Sequence, residues 1–322
     1  VSVAGIAYLG PKGTFTEAAL LQMIDAGLVP QHGPDAVRRL PTESTSAALD
    51  SVRDGAADYA CVPIENSIDG SIVPTLDSLA MGTPLQVFAE LTLDVAFNIV
   101  VRPGRMAADV RTLAAFPVAA AQVRRWLAAH LPAVELHAAN SNAEAAQQVA
   151  DGHVDAAVSS PLAATQRGLS VLAEGVVDEP NACTRFVLVG PPGPPPARTG
   201  ADRTSVVLRI DNVPAALLSA LAEFGIRGID LTRIESRPTR TELGTYVFFL
   251  DCVGHIDDDA VAEALKALHR RCVDVRYLGS WPMGVVAGAP PPEPDEASRW
   301  LARLMDGSAV ANQPDTAEGS GR

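Results

Sequence analysis

The chain has 322 residues, more than a single compact core usually serves, so two or three domains are expected. Its formal net charge of −13 argues against nucleic acid as the main partner. No apolar run reaches the roughly 18 residues of a membrane span, and the four cysteines lack CxxC or other zinc-type spacing, which leaves them as buried or reduced thiols.

Strand and helix signals alternate over the first 190 residues. Ile6–Leu9 reads as a strand that starts almost at once, with no charged and apolar leader ahead of it, so a cytoplasmic location is expected. Helices are predicted at Thr16–Ala26, Ser44–Arg53, Pro117–His130 and Asn142–Asp151. The last has Ser141 as N-cap and Glu144 three residues on, a capping box. Extended segments fall at Tyr59–Val62, Val87–Val101, Val134–Ala138, Asp155–Ser159 and Phe186–Val189. This alternation predicts an α/β region with largely parallel sheets and room for two lobes, in which ligands sit beyond strand ends or between lobes.

Gly190–Pro196 holds five prolines and reads as an extended linker. Beyond it the predicted order is strand Thr204–Ile210, helix Pro214–Phe224, strands Ile229–Ser236 and Thr245–Val253, helix Asp258–Arg271 and strand Val273–Leu278. That βαββαβ order is ferredoxin-like, and pairing two copies would bury an exposed edge or face. The final 40 residues are rich in Pro, Gly, Ala and acids, with one short helix predicted at Glu296–Met305 and the rest expected to be mostly disordered.

Three segments carry chemistry. In Gly10–Thr16, two glycines let the backbone approach a ligand and Thr14 and Thr16 offer hydroxyls; the alternative is a turn in which one threonine caps the next helix. In Val62–Ser71, the polar triplet Glu65-Asn66-Ser67 follows a buried strand, so it must be hydrogen-bonded, cap a helix or face a cleft. In Thr184-Arg185-Phe186, the arginine can hold a carboxylate bidentately and the threonine hydroxyl can donate or accept. None of the six histidines falls in these segments, so neither a Ser–His–Asp nor a metal–histidine mechanism has support. No GxGxxG follows the first strand, which disfavours a nicotinamide-dependent dehydrogenase.

On these three segments and their order the chain resembles the prephenate dehydratase family, from about Ile6 to Pro282. Glu235-Ser236-Arg237-Pro238 and Asn212-Val213-Pro214-Ala215-Ala216-Leu217 resemble the two halves of the effector site of an ACT domain, with Ala215 standing where glycine is expected. The resemblance implies a two-lobed, periplasmic-binding-protein-like α/β catalytic domain over residues 1–190, a Pro-rich linker over 191–202, a ferredoxin-like ACT domain over 203–282 and a tail over 283–322. It implies conversion of prephenate to phenylpyruvate with loss of water and carbon dioxide, without metal or redox cofactor. Thr184, Arg185 and Phe186 would form the catalytic set, Thr184 bonding the departing C4 hydroxyl and Arg185 anchoring a carboxylate. Thr14, Thr16, Glu65, Asn66, Ser67, Gly70 and Ser71 would line the cleft, with Gln122 and Ser159 as further candidates. Ala115 and Phe116 replace a polar pair that commonly begins another family motif, and Asn142 stands where threonine or serine is common. Phenylalanine would act as feedback effector through ACT domains paired in a dimer or tetramer. Arogenate as substrate and a non-catalytic amino-acid sensor are the alternatives; the intact Thr184-Arg185-Phe186 set argues for catalysis.

Overall fold

The chain builds one α/β lobe, crosses into a second, and returns to finish the first before it forms a third unit. This computed structural model describes residues 3–178, 182–240, 244–292 and 296–307. The first lobe runs β1 (Ala4–Leu9), α1 (Phe15–Asp25), β2 (Val37–Thr42), α2 (Thr45–Arg53), β3 (Tyr59–Asn66), β4 (Gly70–Ser71), α3 (Val73–Ala80) and β5 (Gln86–Asp94). The second runs β6 (Phe97–Val101), β7 (Thr112–Ala115), α4 (Pro117–Gln122), α5 (Arg124–His130), β8 (Glu135–Ala138), α6 (Asn142–Ala150), β9 (Ala156–Ser159), α7 (Pro161–Gln166) and β10 (Ser170–Val176). Strand β11 (Cys183–Gly190) then returns to the first sheet. The two crossings touch, the Val95 N–H donating to the Ala182 carbonyl at 2.7 Å. The segment Glu179-Pro180-Asn181 in the second crossing lies outside the described residues.

The first sheet has the order β2-β1-β3-β11-β5, with β4 paired to β3. It is mixed rather than largely parallel: β1 pairs in parallel with β2 and β3, while β11 is antiparallel to both β3 and β5. A strand that arrives from the other lobe has no crossover helix to fix its direction, so the parallel rule for βαβ units does not reach it. The second sheet, β10-β6-β9-β7-β8, is mixed in the same way.

Helix α1 shows why the first lobe folds as it does. Leu20, Met23 and Ile24 fall at i, i+3 and i+4 and bury against Ile6, Tyr8, Phe186 and Leu188 on one face of the sheet. On the other face, Leu49, Val62, Leu76, Val187 and Val189 share a single core with Val207, Phe249, Leu278 and Trp281 of the third unit. The helix expected over Pro117–His130 is two helices, because Val123 leaves helical geometry at φ −122°, ψ 12°.

The third unit has β12 (Asp202–Arg209), α8 (Ala216–Gly225), β13 (Leu231–Pro238), β14 (Tyr246–Val253), α9 (Asp259–Arg271) and β15 (Asp274–Pro282), followed by α10 (Glu296–Met305). Its antiparallel sheet has the order β13-β14-β12-β15, the ferredoxin-like arrangement. Helix α10 matches the expected Glu296–Met305, and the chain beyond 307 lies outside the described residues. Among the described residues no helix is long and apolar enough to cross a membrane.

Candidate active site

Antiparallel pairing of β3 with β11 sets Asn66 opposite Thr184 and Glu65 opposite Arg185. The Asn66 side-chain oxygen accepts the N–H groups of Ile68 and Asp69, each at 2.9 Å. That turn fixes which way the amide points, so its Nδ2 donates to Thr184 Oγ1 at 2.9 Å. Having accepted this bond, the Thr184 hydroxyl keeps its own proton to give elsewhere. Ser67 closes the same turn: its N–H donates to the Cys183 carbonyl and its Oγ accepts the Cys183 N–H, both at 2.9 Å. Gly70 returns the chain at φ 79°, a conformation that favours glycine. Ser67 and Gly70 therefore build the hairpin that presents Asn66.

A cavity of about 550 Å³ opens between the lobes, walled by Gly10, Thr14 and Thr16 on one side and Phe116, Ser141 and Asn142 on the other. Thr14 has a local duty there: Oγ1 donates to the Leu9 carbonyl at 2.9 Å and accepts the Glu17 N–H at 3.3 Å, capping α1. Ser141 caps α6 by accepting the Glu144 N–H at 3.0 Å. Two helix N-termini thus face one cavity and favour negative charge there, against Glu43 and Glu144 in the same wall. Asn142 Oδ1 is buried with no protein partner at the cavity wall. Gln122 Oε1 is likewise unpartnered, in a neighbouring cavity of about 540 Å³ shared with Ile68 and Asp69, the tip of the Asn66 hairpin. Ser159 is buried and donates to the Asn142 carbonyl at 2.8 Å, supporting the α6 start from behind. The lobes meet at Gly13, whose carbonyl accepts Ser160 Oγ at 2.6 Å.

Two members of the expected catalytic set stand elsewhere. Phe186 is 2% exposed and packs in the core beside Tyr8 and Leu20. Arg185 alternates to the opposite sheet face from Thr184, toward the third unit. Its Nη2 donates to Glu65 at 2.9 Å and to Asp251 at 3.0 Å, and its Nη1 to Glu90 at 3.3 Å. The guanidinium pairs with three carboxylates through its two terminal nitrogens and keeps a buried Nε without a partner, and Glu65 is held in the same cluster. A β-bulge between Arg185 and Phe186 in the β3 pairing brings Glu65 to the Arg185 face.

The same ion cluster contains residues that the motifs did not reveal. Glu90 Oε2 also accepts from Arg203 at 3.1 Å and Trp281 Nε1 at 3.0 Å. Asp251 also accepts from Ser205 at 2.7 Å and from Arg233 at 3.0 and 3.2 Å. Burial alone would push the Asp251 carboxyl up, but Arg233, Arg185 and Arg203 hold it well below the usual carboxylate range. Burial would lower the Arg185 guanidinium, and Asp251, Glu90 and Glu65 instead raise it. The sequence signal was Asp251 itself: one carboxylate inside the apolar strand Tyr246–Val253 requires charged partners.

The expected effector residues divide. Asn212, Val213, Ala216 and Leu217 line a cavity of about 660 Å³ that also takes Met81 and Gly82 from the first lobe. Arg276 closes its seam by donating to the carbonyls of Leu79, Met81 and Gly82 at 2.9–3.0 Å. Pro214 and Ala215 lie outside the lining, Ala215 at φ 64° where it starts α8. Glu235, Ser236, Arg237 and Pro238 lie along β13, outside the lining as well. Glu235 accepts a hydrogen bond from Ser71 Oγ, so Ser71 meets the third unit; like Asn66, Ser67 and Thr184 it lies outside the lining of the cavity of about 550 Å³. Arg237 donates to Asp77 at 3.1 and 3.4 Å.

A family model described as prephenate dehydratase matches residues 6–193, and one described as ACT domain matches residues 204–270. A prephenate dehydratase of Mycobacterium tuberculosis is 79% identical over 302 residues, 94% of this chain and 94% of that protein. One of Mycobacterium leprae is 76% identical over 323 residues, covering 100% of this chain and 99% of that protein. The crystal structure of an Arthrobacter aurescens prephenate dehydratase in complex with L-Phe is 40% identical, with a TM-score of 0.83 over 94% of this chain and 98% of that one.

Proposed function

The chain belongs to the prephenate dehydratase family, and we propose that its Thr184 hydroxyl assists departure of the C4 oxygen while the cleft between the lobes holds the substrate. The reaction is the decarboxylative dehydration of prephenate to phenylpyruvate, a carbon–oxygen lyase step. The ring carboxylate leaves as carbon dioxide and its bonding electrons enter the ring. The C4–O bond breaks, the oxygen takes a proton and leaves as water, and the ring becomes aromatic. Aromatisation supplies the driving force, so the protein has to hold a dianion and ease the departure of hydroxide.

The observation that carries this reading is the Asn66 donation to Thr184 Oγ1 at 2.9 Å. It polarises the hydroxyl and directs its proton away from Asn66. A threonine hydroxyl is too weak an acid to give up its proton outright, so it stabilises the leaving oxygen by hydrogen bonding and passes on a proton taken from water. The N-termini of α1 and α6 and the uncommitted Asn142 side chain supply the binding side. Phenylpyruvate formation at neutral pH, measured against an enzyme-free control, tests the reading with Thr184→Ala and Thr184→Ser. Turnover lost in the first and partly kept in the second supports it; wild-type turnover in Thr184→Ala rejects it.

Feedback by phenylalanine through the ACT domain belongs to the same reading. It is supported by the ACT match and by the L-Phe complex of the Arthrobacter protein. The cavity of about 660 Å³ beside Asn212 and Leu217 is large enough for one amino acid. The effector segments Asn212–Leu217 and Glu235–Pro238 would meet across a pair of ACT domains in a dimer or tetramer, and exposed Leu218 and Ile226 on and beside α8 offer apolar surface for that association. Calorimetric titration with phenylalanine, run beside light scattering, tests both parts.

A further inference from the structure

Two rows of residues run side by side across β4, β3 and β11. In one row Gly70, Asn66 and Thr184 are register partners; in the adjacent row Ser71, Glu65 and Arg185 are. The first row carries the hydroxyl assigned to the leaving oxygen. The second is gripped at both ends by the ACT domain of the same chain. At one end Ser71 Oγ donates to the Glu235 carboxylate. At the other, Arg185 donates to Asp251 at 3.0 Å, and Glu65 in the middle accepts from the same guanidinium at 2.9 Å.

The grip continues just past Ser71. Asp77, on α3, pairs with both Arg237 and Arg240. Glu235 and Arg237 lie on β13, and Arg240 is the second residue past it, so one edge of the ACT sheet clasps the root of the catalytic hairpin. The Asp251 end is buried among three arginines and is fixed. At the Glu235 end the direct link to the row is the hydrogen bond to Ser71 on a two-residue strand.

We propose that Glu235 is a positioning residue for the dehydratase reaction, acting through Ser71 and Asn66 on the Thr184 hydroxyl. The inference rests on the reading of Thr184 given above. Its physical basis is small tolerance. The Asn66–Thr184 contact at 2.9 Å ceases to be a hydrogen bond after a shift of about half an ångström. Ser71 is one residue from Gly70, the register partner of Asn66, so release of Ser71 reaches that contact through a single peptide unit. Thr239, just past β13, lines the larger cavity, so an occupant there bears on the same strand end.

The test uses the full chain without phenylalanine, so that any effector role of Glu235 is silent. Steady-state kcat and KM for prephenate and the melting midpoint are measured for Glu235→Ala, Glu235→Gln, Ser71→Ala and the Ser71→Ala/Glu235→Ala double variant. Glu235→Ala and Ser71→Ala lower kcat about tenfold with KM near wild type, beyond the modest fall in melting midpoint that loss of the hydrogen bond itself brings. Glu235→Gln, which keeps an acceptor oxygen, recovers most of the loss. The double variant is no slower than the worse single one, because both remove the same bond. Unchanged kcat in the single variants, or losses that multiply in the double, overturns the proposal. Thr184→Ala in the same assay separates the two readings: if it retains turnover, the Thr184 reading fails, whereas an inactive Thr184→Ala beside a fully active Glu235→Ala sinks the positioning role alone.

Discussion

Asn66 and Thr184 sit opposite each other on antiparallel strands, and the asparagine amide donates to the threonine oxygen at 2.9 Å. The pair divides the work: one side chain is locked by backbone donors, the other keeps a free proton. Asn66→Ala removes the lock and leaves Thr184 free to turn. The expected outcome is a fall in kcat on the order of a hundredfold, the scale for removing a preorganised donor, with a smaller change in KM. Asn66→Asp replaces the donor by an acceptor and falls at least as far. Stopped-time assays of phenylpyruvate give both constants; an Asn66→Ala enzyme with wild-type kcat would remove Asn66 from the mechanism.

Arg185→Ala tests whether that arginine acts as a structural tie or as a substrate anchor. Glu90 and Asp251 would keep Arg203 and Arg233 but lose the charge that joins them across the domain seam. Breaking a buried ion pair costs about 3–5 kcal/mol, so the denaturant midpoint drops sharply. KM for prephenate changes little in the folded fraction, while kcat falls because Thr184 is the neighbouring residue. A stable variant whose only defect is a raised KM would support the anchor role.

Ala215 holds a left-handed conformation, φ 64° and ψ 5°, at the start of α8. A side chain with a Cβ is strained there, whereas glycine is not, although glycine loses more chain entropy on folding. Ala215→Gly is expected to stabilise the protein by roughly 0.5–1 kcal/mol after both effects. Equilibrium unfolding in urea reads the change directly, and a destabilised variant would show that the methyl group packs more than the backbone strains.

Asp251 sets a pH dependence. Its folded-state carboxyl lies well below the ordinary range near 3.9, so in acid the unfolded chain takes up this proton before the folded one does. The cluster's stabilisation is therefore complete above about pH 5 and is lost as pH falls through the ordinary carboxylate range toward the lower folded value. Melting midpoints from pH 6 down to pH 3 decline in the wild type. Asp251→Asn starts lower at neutral pH and declines less steeply. Parallel curves would show that other carboxylates govern the acid limb.

Gly13 lies where the lobes touch. A Cβ added there would stand 2.9 Å from the Ala163 Cβ and 3.1 Å from its Cα, and the residue has φ 92°. Gly13→Ala forces the lobes apart at the edge of the cleft, and kcat/KM drops by roughly ten- to a hundredfold, the scale of an ångström-level misplacement. Small-angle scattering reports the opening. Unaltered kcat/KM in this variant would mean that the lobe contact does not shape the site.

What the sequence disclosed depended on how local the signal was. Thr14 and Ser141 cap helices within three residues, and both were legible as candidate caps. The βαββαβ order of the ACT domain followed from periodicity and turn residues. Strand β2 did not, because Arg38, Arg39 and Pro41 suit a solvent-facing sheet edge and mask its strand character. Arg185 was legible as an important residue but its ion pairs were not, since its partner Asp251 lies 66 positions away in another domain. The contact of Ser71 with the third unit was hidden for the same reason: its partner Glu235 is 164 positions on.

The shared core beneath β11 bears on how the chain comes apart. Val187 and Val189 are covered by Val207, Phe249, Leu278 and Trp281, and Trp281 and Gly284 both donate to Glu90. The ACT segment and the first lobe of the dehydratase segment thus share one core and are expected to unfold together. A calorimeter should record a single endotherm instead of two. A gene cut at the proline-rich linker would yield a catalytic half with a bare apolar sheet face, prone to aggregate before it could ever be assayed as an unregulated enzyme.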